Sequence, residues 1–549
     1  MVIVLRHTYL ARLRSAFYST WFIIVSASSI VPPLLKPGFP PNHEDDAFVL
    51  RTMVYAKHFR FGDVVPVWAT SDNFGMGSPL PGLYHRLFYI VSGLVYAVTN
   101  NSKIAIALPL IFFTSIGVRF VFLTLRSFHC SQHIAMIGAS TLPFLNYSVT
   151  NWLVRGAMAE YSAMMLVPLV LYLVKKSLDR GSLCVSIGFA FGCLFLAHSV
   201  IAYYMVLIVG AVLIAGCLLR VLSWTFFSLK QIVLSLLAFV SITWWWLLPM
   251  LYFRQQFDVG RLLPDFLNVH LQFHSAKEYL WDSSWSWSNA PNLFTLQLDI
   301  VFVLSLGALL LMRRYSREHI GIFAIFAISL ALQNDRSQRL YEVIPFAEFI
   351  QFPWRLSTIS SIALLILVYI GLKQFKAIAL IIAVLTIVVS GTWQRVNYYS
   401  YPDRLETRNS RSLSHYSLSL FGEYLPADGS LLTPDPASSA VFSEWKPLID
   451  EFIETANSGA QCTLKRVSPI SESRSVSFTV SCEHNAVVYL PIFATSAHSV
   501  STSRSGANRN CIIEGVNQSL CAVRLSEGMT QVTVHMPTLL SVVSHLLNI

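Results

Sequence analysis

The sequence predicts a helical membrane protein with about eleven spans, followed by a β-rich domain outside the membrane. Three observations predict this class: hydrophobic residues make up 54% of the chain, charged residues make up only 12%, and the mean hydropathy is +0.56. Soluble domains carry roughly 25% charged residues. The formal charge of +10 does not indicate nucleic-acid binding, because the basic residues lie in short clusters between apolar runs.

The spans are predicted from apolar stretches that approach the roughly 20 residues needed to cross a bilayer. They lie at residues 16–35, 103–125, 133–150, 160–175, 182–198, 200–219, 231–252, 296–312, 319–333, 356–372 and 377–393. We interpret Met1 to Leu35 as an uncleaved first span, because it ends in Pro32-Pro33 and has no convincing small-residue cleavage site.

Positive charge predicts the orientation of these spans, since cytoplasmic loops are enriched in Lys and Arg. The basic residues before the first span and on every second connection are Arg6, Arg12, Arg14, Arg126, Lys175, Lys176, Arg180, Arg220, Lys230, Arg313, Arg314, Arg317, Lys373 and Lys376. We therefore predict that the N-terminus lies inside and that the first outer loop, residues 36–102, faces outward with the C-terminus.

The first outer loop mixes charged and aromatic residues, so it is too polar to span a bilayer. The segment 47–60 is amphipathic, and the segment 87–98 is apolar but short. Both are predicted to form helices that lie flat at the outer surface. We expect Phe88 and Leu94 of the second helix to contact lipid.

After Arg395 the apolar runs shorten, serine becomes frequent, and apolar and polar residues alternate, as at Val476, Phe478 and Val480. This pattern predicts a sandwich-like, β-rich domain over residues 396–549, after a transmembrane domain over residues 1–395. The apolar stretch from Thr538 to Ile549 is too short to span a membrane and is predicted to be a last strand or a surface-bound tail.

Four of the eight cysteines fall in the C-terminal domain. Cys462 and Cys482 flank a predicted hairpin, and Cys511 and Cys521 bracket a second loop. Two disulfides in an oxidising compartment are favoured. Four unpaired thiols or a metal site are the alternatives, although no CxxC spacing supports zinc.

An acidic cluster, His43-Glu44-Asp45-Asp46, follows the first span and is the most informative feature of the chain. Clustered carboxylates rarely lie beside a membrane for structural reasons alone, so this loop is the predicted place of catalysis. The alternative is that Asp45 and Asp46 cap the helix at 47–60, where acidic residues are favourable by about 0.3–1 kcal/mol.

Five motifs in chain order make this sequence resemble the YfhO-like bacterial membrane proteins of the GT-C glycosyltransferase superfamily, a group labelled as 6-pyruvoyl-tetrahydropterin synthase-related. The acidic cluster comes first. The others are Gly62 to Trp68 with Gly75 to Pro79, Arg155-Gly156-Ala157-Met158-Ala159-Glu160, Gln351-Phe352-Pro353-Trp354-Arg355 and Glu423-Tyr424-Leu425-Pro426-Ala427. The resemblance covers most of the chain.

The resemblance implies an enzyme that transfers a hexosyl or pentosyl group from a polyprenyl-phosphate sugar, with inversion at the anomeric carbon. The acceptor is an envelope glycan, lipid or protein outside the cytoplasmic (inner) membrane. Asp45, or else Asp46, takes the general-base role. Arg355, Arg155 and His85 are the predicted phosphate-binding cations, with Glu160 as an ion-pair partner of Arg155.

Flat aromatic faces at Trp68, Tyr84 and Trp354 are the predicted sugar contacts. Arg155 and Glu160 equally suit a purely structural ion pair. No cofactor is firmly implied, and dependence on a divalent metal stays open. Membrane lipids are the other expected partner.

Two other functions stay open. The chain has Val49 where many relatives carry a histidine, which leaves an inactive protein that only binds lipid-linked sugar as one alternative. The other is a transporter or flippase of a lipid-linked saccharide. Against transport, few ionisable residues fall in the middle of the predicted spans.

Overall fold

The computed structural model describes residues 20–35, 39, 42, 44, 47–259, 268–280, 296–316, 319–347, 350–392, 424–426, 445–469, 473–504, 509–511 and 520–547. Asp45 and Asp46, the predicted catalytic residues, lie outside these described residues. Within them, apolar helices are followed by a small β domain.

The longer helices, in chain order, have the following bounds. They are Ala47–Arg60 (α1), Leu87–Thr99 (α2), Ser102–Ser127 (α3), Gln132–Thr141 (α4), Met158–Arg180 (α5), Ser186–Ala197 (α6), Ser199–Leu218 (α7), Leu229–Arg254 (α8), Ile300–Leu311 (α9), Ile320–Leu332 (α10), Ser357–Gly371 (α11), Lys376–Thr386 (α12), Trp445–Asn457 (α13) and Leu539–Leu547 (α14). Residues 20–28 are also helical.

Five helices of the described chain are long and apolar enough to cross a membrane: α3, α5, α7, α8 and α11 with its preceding 3-10 turn. The chain is therefore a helical membrane protein. Four further predicted spans coincide with the apolar helices α6, α9, α10 and α12, which have 11 to 13 residues each.

The two helices predicted in the first outer loop are present as α1 and α2, and they pack against each other. A Cβ atom at Gly93 of α2 would lie 2.6 Å from Cβ of Tyr55 in α1, so the two backbones approach closely. Leu94 is exposed, but the prediction that Phe88 contacts lipid is wrong. The ring of Phe88 is buried against Phe113 of α3, with 6.2 Å between ring centroids.

The span predicted at residues 133–150 is not one helix. After α4, the chain continues through a 3-10 turn at Leu142–Phe144, an α-turn at Asn146–Val149 and a π-helical segment at Thr150–Val154. Pro143 lies at the break and disfavours a continuing helix, because proline lacks an N–H donor, and the backbone leaves helical geometry at Leu145, whose ψ is 142°. The broken segment brings buried polar residues into the bundle, among them Asn146 and Asn151.

The C-terminal domain has a five-stranded antiparallel sheet and a separate strand pair. A short first pair, Phe257–Val259 (β1) with Tyr424–Pro426 (β2), precedes them. The strands of the domain are Cys462–Arg466 (β3), Ser475–Cys482 (β4), Ala486–Phe493 (β5), Ser499–Thr502 (β6), Arg509–Asn510 (β7), Leu520–Leu525 (β8) and Gly528–His535 (β9). The sheet has the order β3-β4-β9-β6-β7, and β5 pairs with β8. The predicted alternation is confirmed in β4, where Val476, Phe478 and Val480 are all buried.

Both predicted disulfides are present. Cys462–Cys482 joins directly opposed positions of β3 and β4, and Cys511–Cys521 joins the residue after β7 to β8 across a sequence separation of 10. Of the two alternatives predicted for Thr538 to Ile549, a last strand or a surface-bound tail, the strand is wrong, because Leu539–Leu547 forms α14. The helix packs against the end of α8, where the rings of Tyr252 and His545 have centroids 6.0 Å apart.

The β domain contacts the first outer loop around Trp68, whose side chain is fully buried. The ring of His498 meets the Trp68 indole edge-on, with 4.7 Å between centroids, and Phe253 and Phe257 pack on the other sides. Hydrogen bonds reinforce the contact, including Thr70 Oγ1 to Ser473 O and Phe493 N to Met76 O, both at 2.8 Å. The loop and the β domain are therefore on one side of the helical bundle.

This contact predicts a pH-dependent stability. Burial lowers the pKa of His498 from 6.5 to about 3, and its Nδ1 accepts a hydrogen bond from Thr495 N. Because the unfolded protein binds a proton below pH 6.5 and the folded protein does not, stability falls as the pH drops from about 6.5 toward 3. We expect wild-type protein to lose about 2 kcal/mol more than His498→Gln between pH 7 and pH 5. Thermal midpoints at both pH values would measure this, and an equal pH dependence in the two proteins would contradict it.

Candidate functional site

Three predicted motifs that are far apart in the chain meet at one place. The backbone N–H of Glu44, in the acidic cluster, donates a hydrogen bond to the carbonyl of Arg155 at 3.1 Å. Arg155 and Arg355 both form ion pairs with Glu160. The first outer loop, the turn before α5 and the turn before α11 therefore form a single polar site.

Gly156 allows the first of these contacts. Its φ of +71° lies in the left-handed region, which favours glycine. A Cβ atom at this position would lie 2.3 Å from Asn42 Oδ1 and 3.3 Å from Glu44 Cβ. Any side chain at position 156 would push the acidic loop away from Arg155.

Glu160 is the centre of the site. Its side chain is only 2% exposed, and it accepts hydrogen bonds from Arg155 Nη1 at 2.9 Å and from Tyr147 Oη at 2.6 Å. Nε of Arg355 lies 3.3 Å from the same carboxylate. The broken segment before α5 supplies Tyr147 and also Asn151, which accepts from Arg155. A buried carboxylate thus holds two guanidinium groups side by side.

Aromatic rings lie against both of these arginines. The Arg155 guanidinium carbon is 4.5 Å from the ring centroid of Trp354, and that of Arg355 is 4.6 Å from the ring of Phe352. Such stacking stabilises a guanidinium in a partly desolvated place. One face of the predicted sugar contact Trp354 is therefore occupied by Arg155, and the residue is buried.

A second ion pair lies at the edge of the site. Arg51 of α1 pairs with Glu44, and its guanidinium carbon lies 4.0 Å above the Tyr84 ring. Arg51 Nη1 also donates to Tyr84 Oη at 3.2 Å. Tyr84, a predicted sugar contact, is half-buried, and its ring already contacts the Arg51 guanidinium.

His85 is next to Tyr84, and its ring lies 4.0 Å from the ring of His198, measured between centroids. Burial, together with the positive charges of Arg355 and Arg51, lowers the pKa of His85 to about 3. His85 is therefore neutral at physiological pH, in contrast to the cationic role predicted for it.

The structure thus brings together Arg155, Glu160, Arg355 and Trp354, with Tyr84 and His85 nearby. Trp68 is not part of this group, since its indole is enclosed by the β domain and α8. Sequence reasoning missed Arg51, Tyr147 and Asn151. A usable signal for Arg51 was its place among apolar residues of α1, since a buried guanidinium requires a partner.

Positive charge is in excess among the described side chains of the site. The guanidinium groups of Arg51, Arg155 and Arg355 face the carboxylates of Glu44 and Glu160. Arg355, Glu44 and His85 are half-buried, so the side of the site that these three residues line is the side accessible to a ligand. The arrangement can bind an anion such as a phosphate group.

Within the described ranges, no group of three or more His, Cys, Asp or Glu side chains could hold a metal ion. Asp45 and Asp46 lie outside those ranges, so metal dependence stays open. No family model, no curated protein and no solved structure matches this chain.

Proposed function

We propose that this protein is a GT-C-like membrane glycosyltransferase that uses a polyprenyl-phosphate sugar as donor. One observation carries the proposal: the acidic cluster at Glu44 is hydrogen-bonded to the turn that holds Arg155, beside Arg355 and Glu160. A carboxylate base and an anion-binding group are the two parts that such a transfer needs at one site.

The proposed reaction uses the residues as follows. The donor phosphate binds at Arg355, which is the most accessible of the three arginines of the site. An acceptor hydroxyl attacks the anomeric carbon, the bond from that carbon to the phosphate oxygen breaks, and Asp45 or Asp46 takes the hydroxyl proton. The leaving polyprenyl phosphate gains one negative charge. Cations at this place therefore stabilise the departing phosphate more strongly than the phosphate of the intact donor.

The contact between the first outer loop and the β domain supports a common side for both, and the two disulfides of the β domain favour an oxidising, extracytoplasmic one. We propose that the protein lies in the cytoplasmic membrane and that the acceptor is an envelope glycan, lipid or protein. The donor's lipid tail would remain in the bilayer beside the apolar helices.

The test separates catalysis from binding. In proteoliposomes supplied with polyprenyl-phosphate sugars, we expect Asp45→Asn, Asp46→Asn double-variant protein to bind the donor but to transfer no sugar. Arg355→Gln should weaken donor binding about 10-fold or more, since a charge-assisted hydrogen bond contributes about 1.5–3 kcal/mol. Asp179→Asn is the matched control, because Asp179 is an exposed carboxylate paired with Lys175 away from this site. Unchanged transfer by the double variant would refute the assigned base.

A transporter or flippase of lipid-linked saccharide is the second candidate, and one observation favours it. The break after α4 and the buried Arg155 at the end of the broken segment resemble the discontinuous helices and buried charges at transporter binding sites. Two results together would support transport. Wild-type protein would transfer no sugar, and the Asp45→Asn, Asp46→Asn protein would still move intact donor across the bilayer of the proteoliposomes.

A further inference from the structure

Two histidine rings accept hydrogen bonds from the first turn of α7. His198 Nδ1 accepts from Ile201 N at 3.4 Å, and His85 Nδ1 accepts from Ser199 N at 3.3 Å. The two rings lie 4.0 Å apart with an interplanar angle of 31°. The start of α7 therefore orients two rings: that of His198, which directly precedes the helix, and that of His85, which belongs to the first outer loop.

These contacts fix the tautomer of both rings. A neutral imidazole that accepts at Nδ1 carries its proton at Nε2. Protonation of either ring would add a positive charge close to the guanidinium groups of Arg51, Arg155 and Arg355, which the carboxylates of Glu44 and Glu160 offset only in part. From the remaining sides, Tyr84 and Trp246 of α8 present aromatic rings to His85, and neither is charged at neutral pH.

The two histidines differ in accessibility. His198 is 3% exposed and lies behind His85, which is half-buried at the open side of the site. Among the described residues, the hydrogen bond of His85 is made through Nδ1, and no described partner engages its Nε2. The Nε2–H group of His85 is therefore an uncharged hydrogen-bond donor near Arg51 and Arg355.

We propose that His85 and His198 form a neutral donor subsite, in which Nε2–H of His85 binds a sugar hydroxyl of the ligand and His198 positions the His85 ring. This inference rests on the proposed function, since it assigns the sugar part of the same phosphate-linked ligand. The arginines bind the phosphate through charge, whereas a neutral N–H distinguishes a ligand that carries sugar from one that does not.

The first test does not require any ligand. In protein labelled with ¹⁵N-histidine and reconstituted in liposomes, the His85 and His198 signals are assigned by their loss in His85→Gln and His198→Gln. We expect both rings to be neutral Nε2–H tautomers at pH 7 and at pH 5.5. Nδ1–H tautomers, or a protonated His85 at pH 5.5, would overturn the subsite.

The second test measures binding of farnesyl phosphate and of farnesyl-phosphate glucose, mannose and arabinose at pH 7.5. His85→Gln places an N–H near the position of Nε2, whereas His85→Asn does not. We expect His85→Asn to weaken binding of the preferred sugar-bearing ligand about 10-fold and to leave farnesyl phosphate unaffected, with His85→Gln close to wild type. Equal losses for farnesyl phosphate would overturn the sugar assignment.

The two tests also separate this inference from the proposed function. If wild-type protein binds none of the four probes, the proposed function fails, and the ligand of the subsite fails with it, whatever the tautomers are. If the probes bind but the His85 tautomer is wrong or both His85 variants behave alike, only the subsite is overturned.

Discussion

Replacing Glu160 by glutamine is expected to lower the free energy of unfolding by about 3–5 kcal/mol, because it leaves the buried Arg155 and the half-buried Arg355 without their shared carboxylate. Glu160 bridges Arg155 and Arg355 and accepts from Tyr147. Glutamine keeps the shape and one acceptor oxygen but loses the charge. Unfolding of purified protein in detergent, followed by its midpoint in heat or in SDS, measures the effect.

The control for this prediction is Asp179→Asn. Asp179 also accepts from a cation, Lys175, but it is 53% exposed, so its loss should change stability by less than about 1 kcal/mol. The double variant Glu160→Gln, Arg355→Gln should recover part of the loss, since it removes one of the buried charges. A single Glu160 variant as stable as wild type would show that the carboxylate is not the partner that compensates these arginines.

Gly188→Ala is expected to cost about 3 kcal/mol or more, because α6 and α8 touch through their backbones at this position. A Cβ atom at Gly188 would lie 1.8 Å from the carbonyl oxygen of Ser235. A side chain could rotate away from such a contact, but a helix carbonyl does not, so the helices must separate and lose packing on both sides. The thermal midpoint and the yield of folded protein should both fall.

Gly210→Ala is the matched control within α7. A Cβ atom there meets no atom within 4 Å, so the change should be neutral or stabilising by up to about 1 kcal/mol, as alanine favours helix. Equal behaviour of the two alanine variants would mean that α6 and α8 do not approach as closely as described.

The fold was predictable where one short stretch of sequence contains the cause. Apolar runs locate the helices, and the alternation at Val476, Phe478 and Val480 locates β4 with its buried face. The break at Pro143 was also visible as a proline within an apolar run, but the hydropathy of that run outweighed it. The helix at Leu539–Leu547 was missed because a short apolar stretch fits a strand or a helix equally well.

The site was predictable only in parts. Arg155 with Glu160, and Arg355 with Trp354, were each identified as motifs, because charged residues beside apolar helices require a partner. Their convergence depends on which helices are neighbours, and no local pattern contains that information. Tyr147 was missed for the same reason, whereas Arg51 carried a local signal that was not used, its place among the apolar residues of α1. Their partners, Glu44 and Glu160, are 7 and 13 positions away, across a change of direction of the chain.

The contact around Trp68 also has a consequence for the time course of biosynthesis. Thr70 and its hydrogen-bond partner Ser473 are 403 positions apart in the chain. At synthesis rates of about 5–20 residues per second, roughly 20 to 80 s pass between the appearance of the first and of the second. During that interval the nascent membrane domain presents an indole that the finished protein encloses completely. Because the β domain follows the membrane domain in the chain, any interruption of synthesis before it leaves this apolar surface available to chaperones and proteases.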